Sequence, residues 1–127
     1  MNKRILVIDD DAGIRKAFAL ALEDMPYKLD AAESGEKGIE MGQNNKYNLI
    51  FLDLKMPGLN GVETLRELRK ISRDTPVYIV TAFYNEFFES LKAVRDDGLD
   101  FELLKKPIGS DEIVLIARSV LEGPQAY

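Results

Sequence analysis

The sequence predicts an α/β fold, a doubly wound open parallel sheet made of five strand–helix units. Two observations predict it. Five short apolar runs, Arg4–Ile8, Lys28–Ala32, Asn48–Leu52, Pro76–Val80 and Phe101–Leu104, recur along the 127 residues, and runs this short and continuous suit strands buried on both faces. Between them the apolar spacing turns helical, the alternation of a sheet covered by helices. Five units are too few to close an eight-fold barrel. They share a pattern and no recurring motif, so the chain is not a tandem repeat.

Each unit carries its own signals. The first run leads into a stripe of Ile14, Phe18, Ala21 and Leu22, with Asp11 placed to cap the helix. Lys28–Ala32 is the least apolar run and suits a sheet edge, and Ser34 stands at the start of the helix that follows. After Asn48–Leu52 come Asn60 and, three residues on, Glu63, the spacing at which each side chain satisfies the other's free backbone donor. That helix turns Val62, Leu65, Leu68 and Ile71 inward. Phe87, Leu91 and Val94 make the fourth stripe, with Gly98 just past its end. Ser110 opens the last helix, where Asp111 and Glu112 suit the positive end of the helix dipole. Ile113, Ile116 and Val120 face its core side, and Gly123-Pro124 ends it. The expectation is one domain over 1–122, with 123–127 a tail or the start of a linker.

Composition removes whole classes of chemistry. Hydrophobic residues at 46% and charged residues at 31% are those of a globular domain. Without Cys there is no disulfide frame, thiol nucleophile or Cys zinc site, and without His there is no internal imidazole base or Ser-His-Asp triad. The balance of 17 basic against 22 acidic residues leaves a net charge of −5, so direct nucleic-acid binding by this domain is not expected. No apolar stretch has the length of a signal peptide core or a membrane span. The expectation is a cytoplasmic domain without membrane insertion. Chemistry falls to carboxylates, Lys, hydroxyls, backbone groups or a hard cation.

The polar residues stand where such a fold binds ligands. The first run ends in Asp9-Asp10-Asp11, the third in Asp53, the fourth in Thr81 and the fifth in Lys105-Lys106-Pro107. Ligands of open α/β sheets bind beyond the carboxyl ends of the strands, where the winding reverses. With strand order 2-1-3-4-5, Asp9, Asp10 and Asp53 converge in one cleft flanked by Thr81 and Lys106. Carboxylates so close repel one another, and a hard divalent cation such as Mg²⁺ compensates them. Three carboxylates against one Mg²⁺ and one Lys sum to zero charge. Asp53, alone at a central strand end, is the candidate nucleophile for an aspartyl phosphate. A single Asp at a strand end is usually a cap or loop residue, a lone Thr an ordinary strand former and a lone Lys a surface charge. Their joint placement at four of five strand ends outweighs that reading.

In this order the pieces Ile5-Leu6-Val7-Ile8-Asp9-Asp10-Asp11, Leu52-Asp53-Leu54-Lys55-Met56-Pro57-Gly58 with Asn60-Gly61, Ile79-Val80-Thr81-Ala82 and Lys106-Pro107 resemble the receiver domain of two-component response regulators, over essentially the whole chain. The resemblance implies a flavodoxin-like (βα)5 fold with sheet order 2-1-3-4-5. It implies that Asp53 accepts a phosphoryl group from a phosphohistidine on a sensor histidine kinase or phosphotransfer protein. Mg²⁺ would be held by Asp9, Asp10, Asp53 and the backbone carbonyl of Lys55. Thr81 and Lys106 would contact the phosphoryl oxygens, and the bond before Pro107 is expected to be cis. Such a domain catalyses only its own phosphorylation and dephosphorylation, and its output is switched partner binding.

Two features depart from the family pattern. Thr81 and Lys106 are 25 positions apart, longer than the family's usual spacing, and the aromatic switch expected three residues before the Lys is Leu103, with Phe101 out of register. Phe83, Tyr84, Phe87 and Phe88 crowd the start of the fourth helix; Phe87 reads as core, while Tyr84 and Phe88 form a neighbouring stripe suited to a partner or a homodimer. Lys55 and Phe83 flank the path of hydrolytic water in this family, and a bulky Phe83 predicts slow dephosphorylation. Arg66, Arg69, Lys70 and Arg73 read as a solvated helix face.

Competing functions fit less well. An aspartate-nucleophile phosphatase of the haloacid-dehalogenase type wants a second Asp two residues after the nucleophile, where this chain has Lys55. A nucleotide-binding flavodoxin-like protein wants a Ser/Thr/Gly-rich loop after the first strand, where this chain has three Asp. A degenerate receiver acting only as a binding module would lack some of the site residues, and here all are present. The output is expected through a downstream protein partner, relay to another phosphoprotein, or a C-terminal effector domain beyond this sequence.

Overall fold

A computed structural model describes residues 2–123. The elements alternate strictly: β1 (Lys3–Ile8), α1 (Ala12–Leu22), β2 (Tyr27–Ala32), α2 (Gly35–Asn44), β3 (Leu49–Leu52), α3 (Gly61–Ile71), β4 (Val77–Thr81), a 3₁₀ turn (Asn85–Phe87), α4 (Phe88–Asp96), β5 (Glu102–Lys105) and α5 (Ser110–Glu122). All strand pairs are parallel, in the order β2-β1-β3-β4-β5. The least apolar strand, β2, is an edge, as its composition predicts. The peptide bond between Lys106 and Pro107 is cis, as expected. Of the tail over 123–127, residues 124–127 lie outside the described residues.

Period-two alternation divides the central strands between two cores. Leu6, Ile8, Ile50, Leu52 and Ile79 meet Val62, Leu65 and Leu68 of α3 and Leu91 and Val94 of α4. On the opposite face Ile5, Val7, Leu49, Phe51 and Val80 meet Phe18 and Leu22 of α1 and Ile113, Ala117 and Leu121 of α5. Each fully buried aliphatic side chain contributes about 1.5–3 kcal/mol, so the sheet that carries the strand-end residues is held firmly from both sides.

Caps fix where the helices start. Asp11 Oδ1 accepts the Gly13 N–H at 2.7 Å, Ser34 Oγ accepts Lys37 N–H at 3.1 Å, and Asn60 and Glu63 exchange bonds of 2.9 Å each way. Ser110, however, is the first helical residue rather than the cap. Gly109 precedes the helix in extended conformation, and its N–H is taken by Glu112 Oε1 at 3.2 Å. The Glu reaches back far enough that a hydroxyl is not needed.

Three further expectations are corrected. Ile71 ends α3 beyond the edge of the core and is 41% exposed. Tyr84 packs against the α3–α4 core, while its edge-to-face neighbour Phe88 stays exposed. Arg69 is buried rather than solvated: its guanidinium donates to the carbonyls of Asp100 (2.7 and 3.2 Å), Thr75 (2.6 Å) and Ser72 (3.3 Å).

Arg69 belongs to a clasp at the C-terminal end of α4. Arg66 pairs with Asp97 at 2.8 Å, and Arg95 donates to the Phe101 carbonyl at 2.8 Å while lying 4.0 Å from the centre of its ring. The turn itself is made by Gly98 at φ +79°, a conformation open to glycine at no steric cost. The other end of α4 is different. Neither it nor the 3₁₀ turn ahead of it has a side-chain cap.

Candidate functional site

Strand register assembles the site. Pairing of Ile8 with Leu52 sets Asp9 beside Asp53, and pairing of Thr81 with Lys105 sets Lys106 next to Thr81. The ladder continues one residue past the strands: Asp9 N–H donates to Ala32 O at 3.1 Å, Asp53 N–H to Ile8 O at 2.9 Å and Lys106 N–H to Thr81 O at 2.9 Å. These backbones are therefore fixed before any ligand arrives. Gly61 lies tight against the backbone that follows β3, because a methyl there would run into the Asp53 carbonyl and come within 2.7 Å of the Leu54 Cα.

Asp9, Asp53 and Thr81 are almost wholly buried, at 3, 5 and 1% exposure, and Asp10 is exposed. One carboxylate oxygen from each of Asp9, Asp10 and Asp53 lies within 4.8 Å of the others. Lys106 Nζ donates to Asp9 Oδ2 at 2.9 Å and stands 3.4 Å from Asp53 Oδ1. That second contact lacks hydrogen-bond geometry, and Asp53 Oδ1 is buried with no donor. The Lys106 charge faces that oxygen as an ion pair, and a buried carboxylate oxygen without a hydrogen bond is costly.

Electrostatics follow from this crowding. Burial first, and the charge of Asp9 second, push the Asp53 carboxyl from its ordinary 3.8 up to about 6, against the pull of Lys106. Burial alone would lower Lys106, but its hydrogen bond to Asp9 and the charges of Asp53 and Asp9 hold it above the ordinary Lys range. Thr81 Oγ1 accepts the Phe83 N–H at 2.8 Å, tying it to the loop ahead of α4. Lys55 turns its side chain away from the carboxylates, with Nζ 3.2 Å from Glu86 Oε1 and 4.5 Å from the centre of the Phe83 ring.

The fit to a small hard cation is good: an oxygen-only donor set, three convergent carboxylates and one buried oxygen lacking a donor. The family model for the response regulator receiver domain matches residues 5–118. The chain belongs to that family. This receiver domain is 37% identical over 120 residues to the transcriptional regulatory protein ResD of Bacillus subtilis, covering 93% of the chain and 48% of ResD. It spans about half the length of the curated relatives it matches. Among solved structures, the CheY-like receiver domain from Methanospirillum hungatei superposes with a TM-score of 0.84 at 26% identity, over 97% of both chains. The response regulator TrrA of Thermotoga maritima, solved in complex with Mg²⁺–BeF, gives 0.76 at 31% identity, over 93% of this chain and 98% of that one. No described helix of the receiver is long and apolar enough to cross a membrane.

The residues singled out in the sequence, Asp9, Asp10, Asp53, Thr81 and Lys106, all stand at the carboxyl end of the sheet, beside the Lys55 loop. Leu103 sits in β5 opposite Ile79, and Phe101 is buried before the strand begins. No aromatic stands at the switch position. Sequence reasoning missed Arg15, whose Nη1 donates to the Asp9 carbonyl at 2.8 Å. Its signal was a cation one turn into the helix that follows three acids.

Proposed function

We propose that this receiver domain is a phosphoryl-accepting switch whose acceptor is Asp53. The donor is a phosphohistidine on a sensor histidine kinase or phosphotransfer protein, since the chain has no His of its own. An Asp53 oxygen attacks phosphorus in line; the P–O bond forms as the P–N bond breaks, and the donor imidazole leaves with its electron pair. Mg²⁺, when bound, offsets charge on the phosphoryl oxygens. Asp9, Asp10, Asp53 and the Lys55 carbonyl are the groups placed to hold it. Lys106 is the fixed cation beside the acceptor, and Thr81 is the hydroxyl donor that can turn from the Phe83 N–H loop toward a new oxygen. The same groups serve dephosphorylation, and the domain catalyses no other reaction.

One observation carries this reading: the Asp53 carboxylate is buried at the end of β3, with the Asp9 and Asp10 carboxylates within 4.8 Å and the Lys106 ammonium 3.4 Å away, the surroundings of a phosphoryl acceptor. TrrA, solved with Mg²⁺–BeF, supports the choice of cation. The proposed domain runs over 1–122, in the cytoplasm. Its output is a downstream partner or effector domain, and Phe83 and Phe88, 42 and 45% exposed, offer a surface to that partner or to a second copy.

Intact mass after incubation with acetyl phosphate tests the reading. One phosphoryl group should be gained with Mg²⁺, and none without it or in Asp53→Asn. A phosphorylated kinase serves as second donor, and failure with both refutes the proposal.

A further inference from the structure

We infer that Arg15 is a positioning residue for the cation site, acting on Asp10 through the backbone; the inference rests on the reading of the site given above. The three carboxylates are held unequally. Asp9 is fixed at every point: its N–H to Ala32 O, its Oδ1 by the Asp11 N–H at 3.0 Å, its Oδ2 by Lys106. Asp53 is fixed by its ladder bond and by burial. Asp10 is exposed, and its carboxylate has neither hydrogen bond nor ion pair among the described residues. Yet one of its oxygens lies within 4.8 Å of both others.

What aims Asp10 is the peptide that joins it to Asp9. That peptide's oxygen accepts the 2.8 Å bond from Arg15 Nη1, and the guanidinium reaches it from α1, six residues on. A planar, always-charged donor on a carbonyl fixes the tilt of the peptide plane. That plane sets where the Asp10 Cα stands, and so the point from which its carboxylate reaches the other two.

The two possible roles of Arg15 predict opposite signs. A cation beside a metal site repels the metal, so a bystander Arg15 replaced by Ala should let Mg²⁺ bind more tightly. A positioning Arg15 replaced by Ala should make it bind more weakly, by about tenfold, the loss typical when a group supporting a metal ligand is removed.

Calorimetric titration of Mg²⁺ into the unphosphorylated domain decides between them, with the thermal midpoint of each variant measured alongside. The expected order of affinity is wild type, Arg15→Lys, Arg15→Ala, because Lys keeps the charge and one donor but not the planar fork. In the Asp10→Ala background the Arg15 effect should vanish, since its target is gone. Arg15→Lys alone, set against wild type, carries the comparison if Arg15→Ala does not fold. Equal or tighter Mg²⁺ binding in the Arg15 variants overturns the inference, as does an Arg15 effect that persists undiminished without Asp10. Absence of Mg²⁺ binding in the wild type overturns the cation site itself, a separate result.

Discussion

Replacing Asp53 with Asn should stabilise the metal-free protein, and the amount can be worked from the pocket. In the folded state burial and the charge of Asp9 move the carboxyl from 3.8 to about 6. Ionising it there rather than in the unfolded chain costs about 3 kcal/mol, at about 1.4 kcal/mol for each pH unit. A raised carboxyl binds its proton more tightly in the folded than in the unfolded state. Stability is therefore greatest below the ordinary value near 4, falls as pH rises from about 4 to about 6, and stays low above that. Asn has nearly the same shape and no charge. At pH 7 without metal, Asp53→Asn should raise the thermal midpoint by about 10 °C for a domain of this size. The gain should shrink below about 1 kcal/mol by pH 4, where the Asp53 carboxyl of the folded wild type is already protonated. Added Mg²⁺ should stabilise the wild type more than the variant. Calorimetry across that pH range, with chelator and with Mg²⁺, reads all three. An Asn variant no more stable at pH 7, or a gain that is the same at pH 4, would refute the reasoning.

Other perturbations reach different parts of the structure. Arg69→Met should cost about 3 kcal/mol in urea denaturation, because the carbonyls of Asp100, Thr75 and Ser72 lose their shared donor. Gly61→Ala should destabilise by about 2 kcal/mol and slow phosphorylation, since its methyl displaces the Asp53 and Leu54 backbone; phosphorylation rate by mass spectrometry separates the two effects. Phe83→Glu should shorten the half-life of the phosphorylated form several-fold, by removing an apolar ring from the mouth of the site. An unchanged decay rate would show that the ring does not obstruct water.

The strand-end groups were legible in the sequence because parallel strands in register bring consecutive strand ends to one row. Asp9, Asp53 and Thr81 needed only the alternation and the strand order to be placed together. Asp11, Ser34 and the Asn60–Glu63 pair were legible for a different reason, since a cap is local to its own turn. Arg69 was not. It shares α3 with Arg66 and Lys70, while Arg73, expected on the same face, lies beyond the helix end, and nothing local distinguishes the one whose partner, the Asp100 carbonyl, lies 31 residues away. Arg15 hid likewise: its place one turn into the helix after three acids was a signal, but its acceptor is a backbone oxygen, which the side-chain pattern does not name. The start of α5 was misplaced by a residue because Glu112 closes the turn from inside the helix, leaving Ser110 without a capping task.

The unequal fastening of α4 has a mechanical consequence. A rod clamped at one end turns a small push at the other into a swing whose travel grows with distance from the clamp. At about 1.5 Å per residue, the nine residues of α4 put its uncapped end, held by the packing of Tyr84 and Phe87 rather than by arginines, roughly 13 Å from the arginine clasp; that is the freer end. A tilt of about 5° there moves the free end by roughly 1 Å over that length. The bond from Phe83 N–H to Thr81 Oγ1 is the rope tied near that end. Whatever pulls on the Thr81 hydroxyl is therefore displayed at greatest amplitude where Phe88 meets solvent, and hardly at all beside Arg95.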